Sequence, residues 1–174
     1  MLAAIQLDLA WSLLNLKDIR GRCRAMKQLL ISLLLWISQN TAFQSLPQQP
    51  LPDLQVIPAA AILRMLYEDK QLARLTPKEL RDLEGDVTAL YDNHQNTIYV
   101  EGGIDLDSDY GNAVLVHELV HYLQFAHGAD ETANCISELE EDAYRIQAKY
   151  MEEQDMIPEF DEFTIRMRSI CFLE

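Results

Sequence analysis

Residues 113–123 form an almost continuous apolar run, interrupted by two histidines and a glutamate: His117, Glu118 and His121. A helix drawn through this run has apolar side chains on nearly every side, so it should lie in the centre of a folded domain. Imidazoles and a carboxylate in such a position need polar partners, because unpaired polar groups are costly in a protein interior. The run therefore predicts a globular domain built around one buried helix with polar groups that share a partner.

The spacing of these three residues indicates what the partner is. His117 and His121 are four residues apart and lie one turn apart on the same helical face. Two imidazoles so placed can bind one zinc ion, while Glu118 holds a water on that ion and acts as its general base. We therefore predict His117 and His121 as zinc ligands and Glu118 as a catalytic residue. The alternative is a pair of core histidines with ordinary hydrogen bonds.

A catalytic zinc site usually has three protein ligands and one water, so a third ligand is needed. The next predicted helix is rich in acids: Glu138, Glu140, Glu141 and Asp142. Its buried stripe is defined by apolar residues: Ile136, Leu139, Ala143, Ile146 and Tyr150. Glu140 lies at the edge of this stripe, whereas Glu138 lies on the opposite face. Helical phase thus favours Glu140, with Glu141 and Glu138 as alternatives.

The combined pattern resembles the gluzincins, zinc metallopeptidases in which a glutamate on a second helix completes an HExxH site. In that family the glutamate is often followed three residues later by Ala and four later by Asp or Asn. Here Ala143 and Tyr144 take those places after Glu140, and the tyrosine departs from the commoner pattern. The resemblance implies an α+β, zincin-like fold, mostly helical, with a small β-hairpin or sheet before the active-site helix.

The sequence is also similar to a group of small exported bacterial gluzincin-like proteins of unknown function. The shared segments are Tyr91-Asp92, Thr97 to Tyr99, Leu115 to Gln124, Cys135, Glu140 to Gln147, and Cys171. In related peptidases a strand over the cleft pairs with an extended substrate. The resemblance implies that residues 97–100 are that strand.

Other polar residues are candidates for supporting roles. A phenol or imidazole near zinc can stabilise a developing oxyanion, which makes Tyr144, Tyr110 and His127 candidates, with Tyr144 as the predicted catalytic residue. Ordinary packing is the alternative for each of them. Gln124 and Gln147 fit two interpretations, as partners of the metal ligands or as surface polar residues.

The N-terminal segment has the layout of a secretory signal peptide. Basic residues within 17–27 precede an uncharged apolar run at 29–37 and a polar stretch at 40–42. We predict an N-terminal extension plus signal peptide over 1–42, a proline-rich linker over 43–58 and the zincin-like domain over 59–174. The apolar run is too short to predict a membrane span. The alternative is a buried amphipathic helix of the domain.

The cysteines and the charge bear on the compartment and the partners. Removal of residues 1–42 takes away Cys23 and leaves two cysteines, which predicts a Cys135–Cys171 disulfide in a periplasmic or secreted bacterial protein. Without cleavage we expect a cytoplasmic protein with two buried thiols. The net charge of -14 disfavours nucleic acid as a partner.

Periodicity and turn residues predict the remaining elements. These are helices at 59–72, 77–85, 132–153 and 160–172, and hairpin strands at 87–91 and 97–100. The metal helix should run to about 127 after a cap at Asp107, Ser108 or Asp109. Thr76 should cap the second helix, and Gly128 should follow the end of the metal helix.

Together these features predict a zinc metallopeptidase that acts on peptide or protein substrates. A second hypothesis is a non-catalytic zinc-binding interaction or assembly protein with the same fold, in which a fourth ligand such as Glu141 or His127 closes the site. A third resembles the repressor-cleaving metallopeptidases that act inside bacterial cells, and it requires a protein without a signal peptide.

Overall fold

The computed structural model describes residues 24–43 and 49–171 of the 174-residue chain. The described residues form a mixed α+β fold, mostly helical, with one three-stranded sheet. The strands are β1 (Asp53–Ile57), β2 (Ala89–Asp92) and β3 (Thr97–Glu101). The helices are α1 (24–40), α2 (Ala59–Leu66), α3 (Asp69–Leu72), α4 (Pro77–Asp86), α5 (Asp109–Ala126), α6 (Leu139–Glu153) and α7 (Glu162–Arg168).

The sheet has the order β1-β3-β2 and contains the predicted hairpin. β2 runs antiparallel to β3 with Ala89 opposite Val100, and Asn96 adopts a positive φ of 46° in the connecting turn. β1 runs parallel to β3, with Asp53 opposite Thr97. β1 was not predicted, because its residues fall within the proline-rich stretch that we interpreted as a linker. Its pairing makes β3 the central strand and leaves β2 at an edge.

The helix α5 lies at the centre of the core, as the apolar run predicted. Most of its residues between Gly111 and Gln124 are buried. Ser108 caps its first turn by accepting a hydrogen bond from the Gly111 amide, and Gly128 follows its end in the left-handed conformation, with φ 72°. A side chain at Gly111 would collide with the Asp105 carbonyl, because a Cβ atom there would lie 2.1 Å from that oxygen. α5 packs mainly against α6 and β2.

The helix α1 contributes one apolar face to the same core. Its buried residues follow helical spacing: Leu30, Leu33, Leu34 and Ile37. The Trp36 indole donates a hydrogen bond of 2.9 Å to Glu153, and its ring packs edge-on against Tyr150. This packing matches the alternative interpretation of the segment as a helix of the domain. Cleavage after residue 42 stays a prediction, and it would remove all four buried side chains from the core.

The helices α6 and α7 are joined by a covalent link and an ion pair. The sulfurs of Cys135 and Cys171 form the predicted disulfide, with Cα atoms 5.8 Å apart. Arg145 on α6 donates two hydrogen bonds, of 3.0 and 2.6 Å, to the Glu162 carboxylate on α7. α6 begins later than predicted, because 3₁₀ turns at Ala129–Glu131 and Ile136–Glu138 occupy the chain before it. In the described part of the chain, every helix is too short or too polar to span a bilayer.

Candidate metal centre

His117, His121 and Glu140 direct one donor atom each towards a common point. The Nε2 atoms of the two histidines are 3.2 Å apart, and they lie 3.3 Å and 3.5 Å from the two carboxylate oxygens of Glu140. Donor atoms that each lie about 2.1 Å from one tetrahedral ion are about 3.4 Å apart. The three side chains therefore fit the ligand geometry of a single zinc ion, and they are the group of described residues with metal-binding spacing.

Two packed helices create this arrangement. α5 places the histidines one turn apart, with ring centroids 4.9 Å apart, and α6 supplies Glu140 from its first turn. The alternative third ligands have other partners. Glu141 forms an ion pair of 3.0 Å with Arg145, and Glu138 accepts hydrogen bonds from Asn134. Of the three acids considered from the sequence, Glu140 is thus the one that faces the histidines.

Two glutamines hold the outer nitrogens of the histidines. The Nδ1 atom of His117 lies 3.1 Å from Oε1 of Gln147, and that of His121 lies 2.8 Å from Oε1 of Gln124. Gln124 is in turn fixed by a 2.8 Å hydrogen bond from its Nε2 to the Leu139 carbonyl. Because an amide oxygen only accepts, each Nδ1 carries the proton and each Nε2 presents a lone pair to the metal point. Both glutamines are buried, so they are partners of the histidines and not surface residues.

The charges of the ligand set are coupled. Burial opposes charge on His121 and on Glu140. A protonated His121 donates its Nε2–H to Glu140, and this hydrogen bond raises the pKa of His121 in spite of burial. Hydrogen bonds of Glu140 with His117 and then with His121 likewise outweigh burial and hold the pKa of Glu140 well below its usual range. A carboxylate that stays ionised beside two imidazoles is a suitable ligand for a divalent cation.

Glu118 lies beside the ligand set and is only 5% exposed. One of its carboxylate oxygens accepts a 2.7 Å hydrogen bond from the backbone amide of Tyr91 in β2. Burial raises the pKa of Glu118, although the neighbouring His117 and His121 oppose the shift. A carboxylate with a raised pKa, oriented through one oxygen, is suited to accept and return a proton.

A cleft of about 610 Å³ opens in front of these residues. Its walls are residues 85–91, side chains of α5 and α6, and residues around α7. The strand at the cleft is β2, so our expectation that residues 97–100 form that strand is wrong. β3 is hydrogen-bonded to a strand on each side, whereas β2 has no further strand beside it within residues 24–43 and 49–171. Alternate residues of a strand direct their backbone groups to opposite sides, and the Tyr91 amide points away from β3.

The three candidates for oxyanion stabilisation occupy different places. Tyr144 lines the cleft, and its ring packs edge-on against His117 with centroids 4.6 Å apart. Its hydroxyl accepts a hydrogen bond from Arg168, and burial raises its pKa although Arg168 opposes the shift. Tyr110 also lines the cleft. His127 follows the end of α5, where its Nδ1 lies 2.7 Å from the Leu123 carbonyl, and it is not among the described residues of the cleft wall.

Sequence reasoning missed two contributions to the site. Nearly every residue has a backbone amide, so the sequence does not single out the one at Tyr91. Its hydrogen bond to Glu118 follows from the position of β2 in the fold. Arg168 lies far along the chain from the metal helix, and the disulfide was the one sequence feature that could bring its helix near. Arg168 belongs to no recognisable spacing pattern, and the shared Tyr91-Asp92 segment did not indicate a role for the amide.

No curated protein and no solved structure matches the chain. One family model, described as Domain of unknown function (DUF6647), matches residues 22–174, a range that includes α1, the sheet and every residue of the candidate metal centre. The chain belongs to the family described as Domain of unknown function (DUF6647).

Proposed function

We propose that this protein is a zinc metallopeptidase with a gluzincin-type site in a zincin-like fold. The observation that carries the proposal is the convergence of three donor atoms, 3.2–3.5 Å apart, beside the buried carboxylate of Glu118. In this proposal His117, His121 and Glu140 hold zinc and leave a fourth position for water. The intact Glu118 favours a catalytic site, because a structural zinc site has no use for a general base.

The proposed reaction assigns a step to each side chain. A bound zinc ion supplies a Lewis acid that lowers the pKa of a water and polarises the scissile carbonyl. Glu118 accepts the proton of the attacking water through its free carboxylate oxygen and then donates that proton to the leaving amine. Tyr144 donates a hydrogen bond to the oxygen on which negative charge develops.

The edge of β2 supports a peptide as the substrate. Ala89 and Tyr91 direct their backbone groups away from β3, because the alternate residue Thr88 accepts a hydrogen bond from Glu101 of β3. The Tyr91 amide already donates to Glu118, so a peptide would pair with the other backbone groups of this edge. An extended peptide can add to such an edge as a further strand, with its scissile bond carried towards the metal point. The disulfide supports an exported protein, since such bonds persist in oxidising compartments. It argues against a cytoplasmic repressor-cleaving peptidase.

The non-catalytic alternative requires a fourth protein ligand. Within residues 24–43 and 49–171 no fourth histidine, cysteine or acid joins the three donors. The two candidates for that role are engaged elsewhere, Glu141 with Arg145 and His127 with the Leu123 carbonyl. An open coordination position agrees better with hydrolysis than with a structural site.

The test combines metal analysis with a peptide-library cleavage assay on four proteins. We expect the wild type to contain one zinc and to cleave peptides. Glu118→Gln should keep zinc but lose cleavage, and Glu140→Ala should lose both. Glu141→Ala is the matched control, because it removes an adjacent acid that pairs with Arg145, and it should retain both properties. Full cleavage by Glu118→Gln, or unchanged zinc in Glu140→Ala, would contradict the proposal.

A further inference from the structure

Arg168 is the only arginine or lysine among the described residues that line the cleft. The other charged groups of the wall are acidic: Asp86, Glu118, Glu140 and Glu159. The whole chain has a net charge of -14, so acidic side chains outnumber basic ones. Composition alone therefore does not account for an arginine on the cleft wall. Its placement calls for a specific role.

The guanidinium of Arg168 is held against Tyr144. It donates a hydrogen bond to the tyrosine hydroxyl, and its central carbon lies 5.2 Å from the ring centroid. This contact occupies one of five N–H donors and orients the planar group without neutralising it. No carboxylate within residues 24–43 and 49–171 forms an ion pair with Arg168, whereas Arg145 and Arg166 both pair with Glu162.

The helix that carries Arg168 is fixed to the metal-binding helix. The bidentate pair of Arg145 with Glu162 ties the start of α7 to α6, and the disulfide ties the chain just beyond α7 to the turn before α6. Arg168 therefore keeps its place relative to Glu140 and Tyr144. A donor that is ordered in advance loses less conformational entropy when a ligand binds.

We propose that Arg168 binds a carboxylate of the substrate, so that the cleft selects peptides with a carboxylate near the scissile bond. This inference rests on the proposed function. A guanidinium with unused donors matches a carboxylate in a bidentate fashion. The Tyr144 ring contacts both His117 and Arg168, with 4.6 Å between the two ring centroids and 5.2 Å from its centroid to the guanidinium carbon. Since extended residues advance about 3.3–3.6 Å each, these two distances place the carboxylate within about three residues of the cleaved bond.

The carboxylate has two possible sources, an Asp or Glu side chain or the C-terminal carboxyl group of the peptide. Three peptide pools distinguish them, all with the same neutral residues at the random positions. One pool has a fixed Glu and an amidated C-terminus, the second has Gln in its place, and the third has Gln with a free C-terminal carboxyl group.

The zinc-loaded Glu118→Gln protein provides a binding assay without turnover. We expect it to retain one carboxylate-bearing pool about 10- to 100-fold more strongly than the neutral pool, as measured by mass spectrometry of peptides held on the immobilised protein. Adding Arg168→Ala should remove that preference and leave the neutral pool unchanged, and Arg168→Lys should restore part of it. Arg166→Ala, with a side chain on the same helix that is 74% exposed, is the control and should change nothing.

Other outcomes overturn the inference. Equal retention of all three pools contradicts it, and so does an Arg168→Ala effect of the same size on every pool. In the otherwise wild-type protein, a loss of kcat in Arg168→Ala that is equal for all substrates would mean that Arg168 stabilises developing charge and does not select the substrate. Failure of the proposed function has a different signature, since neither the wild type nor a variant at position 168 would then cleave any of the pools.

Discussion

Gln124 and Gln147 determine which nitrogen of each histidine faces Glu140. Gln124 lies three residues beyond His121, so its contact is local, but Gln147 reaches His117 only because α5 and α6 pack together. The sequence could show both residues without showing their roles. In the family that the sequence resembles, the residue four places after the ligand glutamate is commonly the polar partner of a histidine. Here Tyr144 occupies that place, and its hydroxyl accepts a hydrogen bond from Arg168 instead.

We predict that Gln147→Leu lowers zinc affinity by about 10- to 100-fold, because it removes the acceptor that fixes the His117 tautomer while keeping a similar side-chain volume. The measurement is competition for zinc with a chelator of known affinity. Gln154→Leu, at the exposed end of the same helix, is the control and should bind zinc like the wild type. Equal affinities in the two variants would show that the Gln147 contact does not support the metal.

Among the elements, those with a strong local pattern were predicted and those fixed by distant partners were not. α5 has its own cap, its own terminating glycine and a continuous apolar surface, and the hairpin has turn residues between two β-rich runs. β1 depends on a parallel partner more than 40 residues away. The order of basic, apolar and polar residues around 29–37 is shared by signal peptides and amphipathic core helices, so the sequence alone could not separate them.

Two adjacent leucines of α1, one buried and one exposed, test whether this helix belongs to the core. In the full chain, Leu34→Ala should lower the free energy of unfolding by about 2–5 kcal/mol, because Leu34 is only 2% exposed and its loss leaves a cavity. The adjacent Leu35 is 44% exposed, so Leu35→Ala should change stability by less than about 0.5 kcal/mol. Denaturant unfolding of both variants measures the difference. Similar values for the two would mean that α1 does not belong to the core.

At the scale of the whole molecule, the disulfide links the C-terminal segment to the half of the chain that holds the ligands. Cys135 and Cys171 are 36 residues apart, and the loop between them contains α6 and α7. The number of cysteines predicted this bond, but it did not reveal that the bond places Arg168 on the wall of the cleft. That consequence depends on how α7 packs, which no local pattern encodes.

The double variant Cys135→Ser/Cys171→Ser should lose about 2–4 kcal/mol of stability, because the unfolded chain gains freedom. We expect its zinc content to stay unchanged, since the three ligands belong to α5 and α6 and not to the crosslinked ends. Preference for carboxylate-bearing peptides should weaken, because α7 is no longer held at both ends. Thermal unfolding, metal analysis and the pool assay measure these three effects, and loss of zinc would contradict this division of roles.

The hydrogen bond from Tyr91 to Glu118 connects recognition to chemistry. If a peptide pairs with β2, the strand that aligns the substrate also orients the Glu118 carboxylate, through the 2.7 Å hydrogen bond from the Tyr91 amide. A peptide that docks out of register would tilt that strand and misdirect the carboxylate before any bond is broken. Under the proposed function, cleavage would then require the correct register, and peptides bound out of register would stay intact.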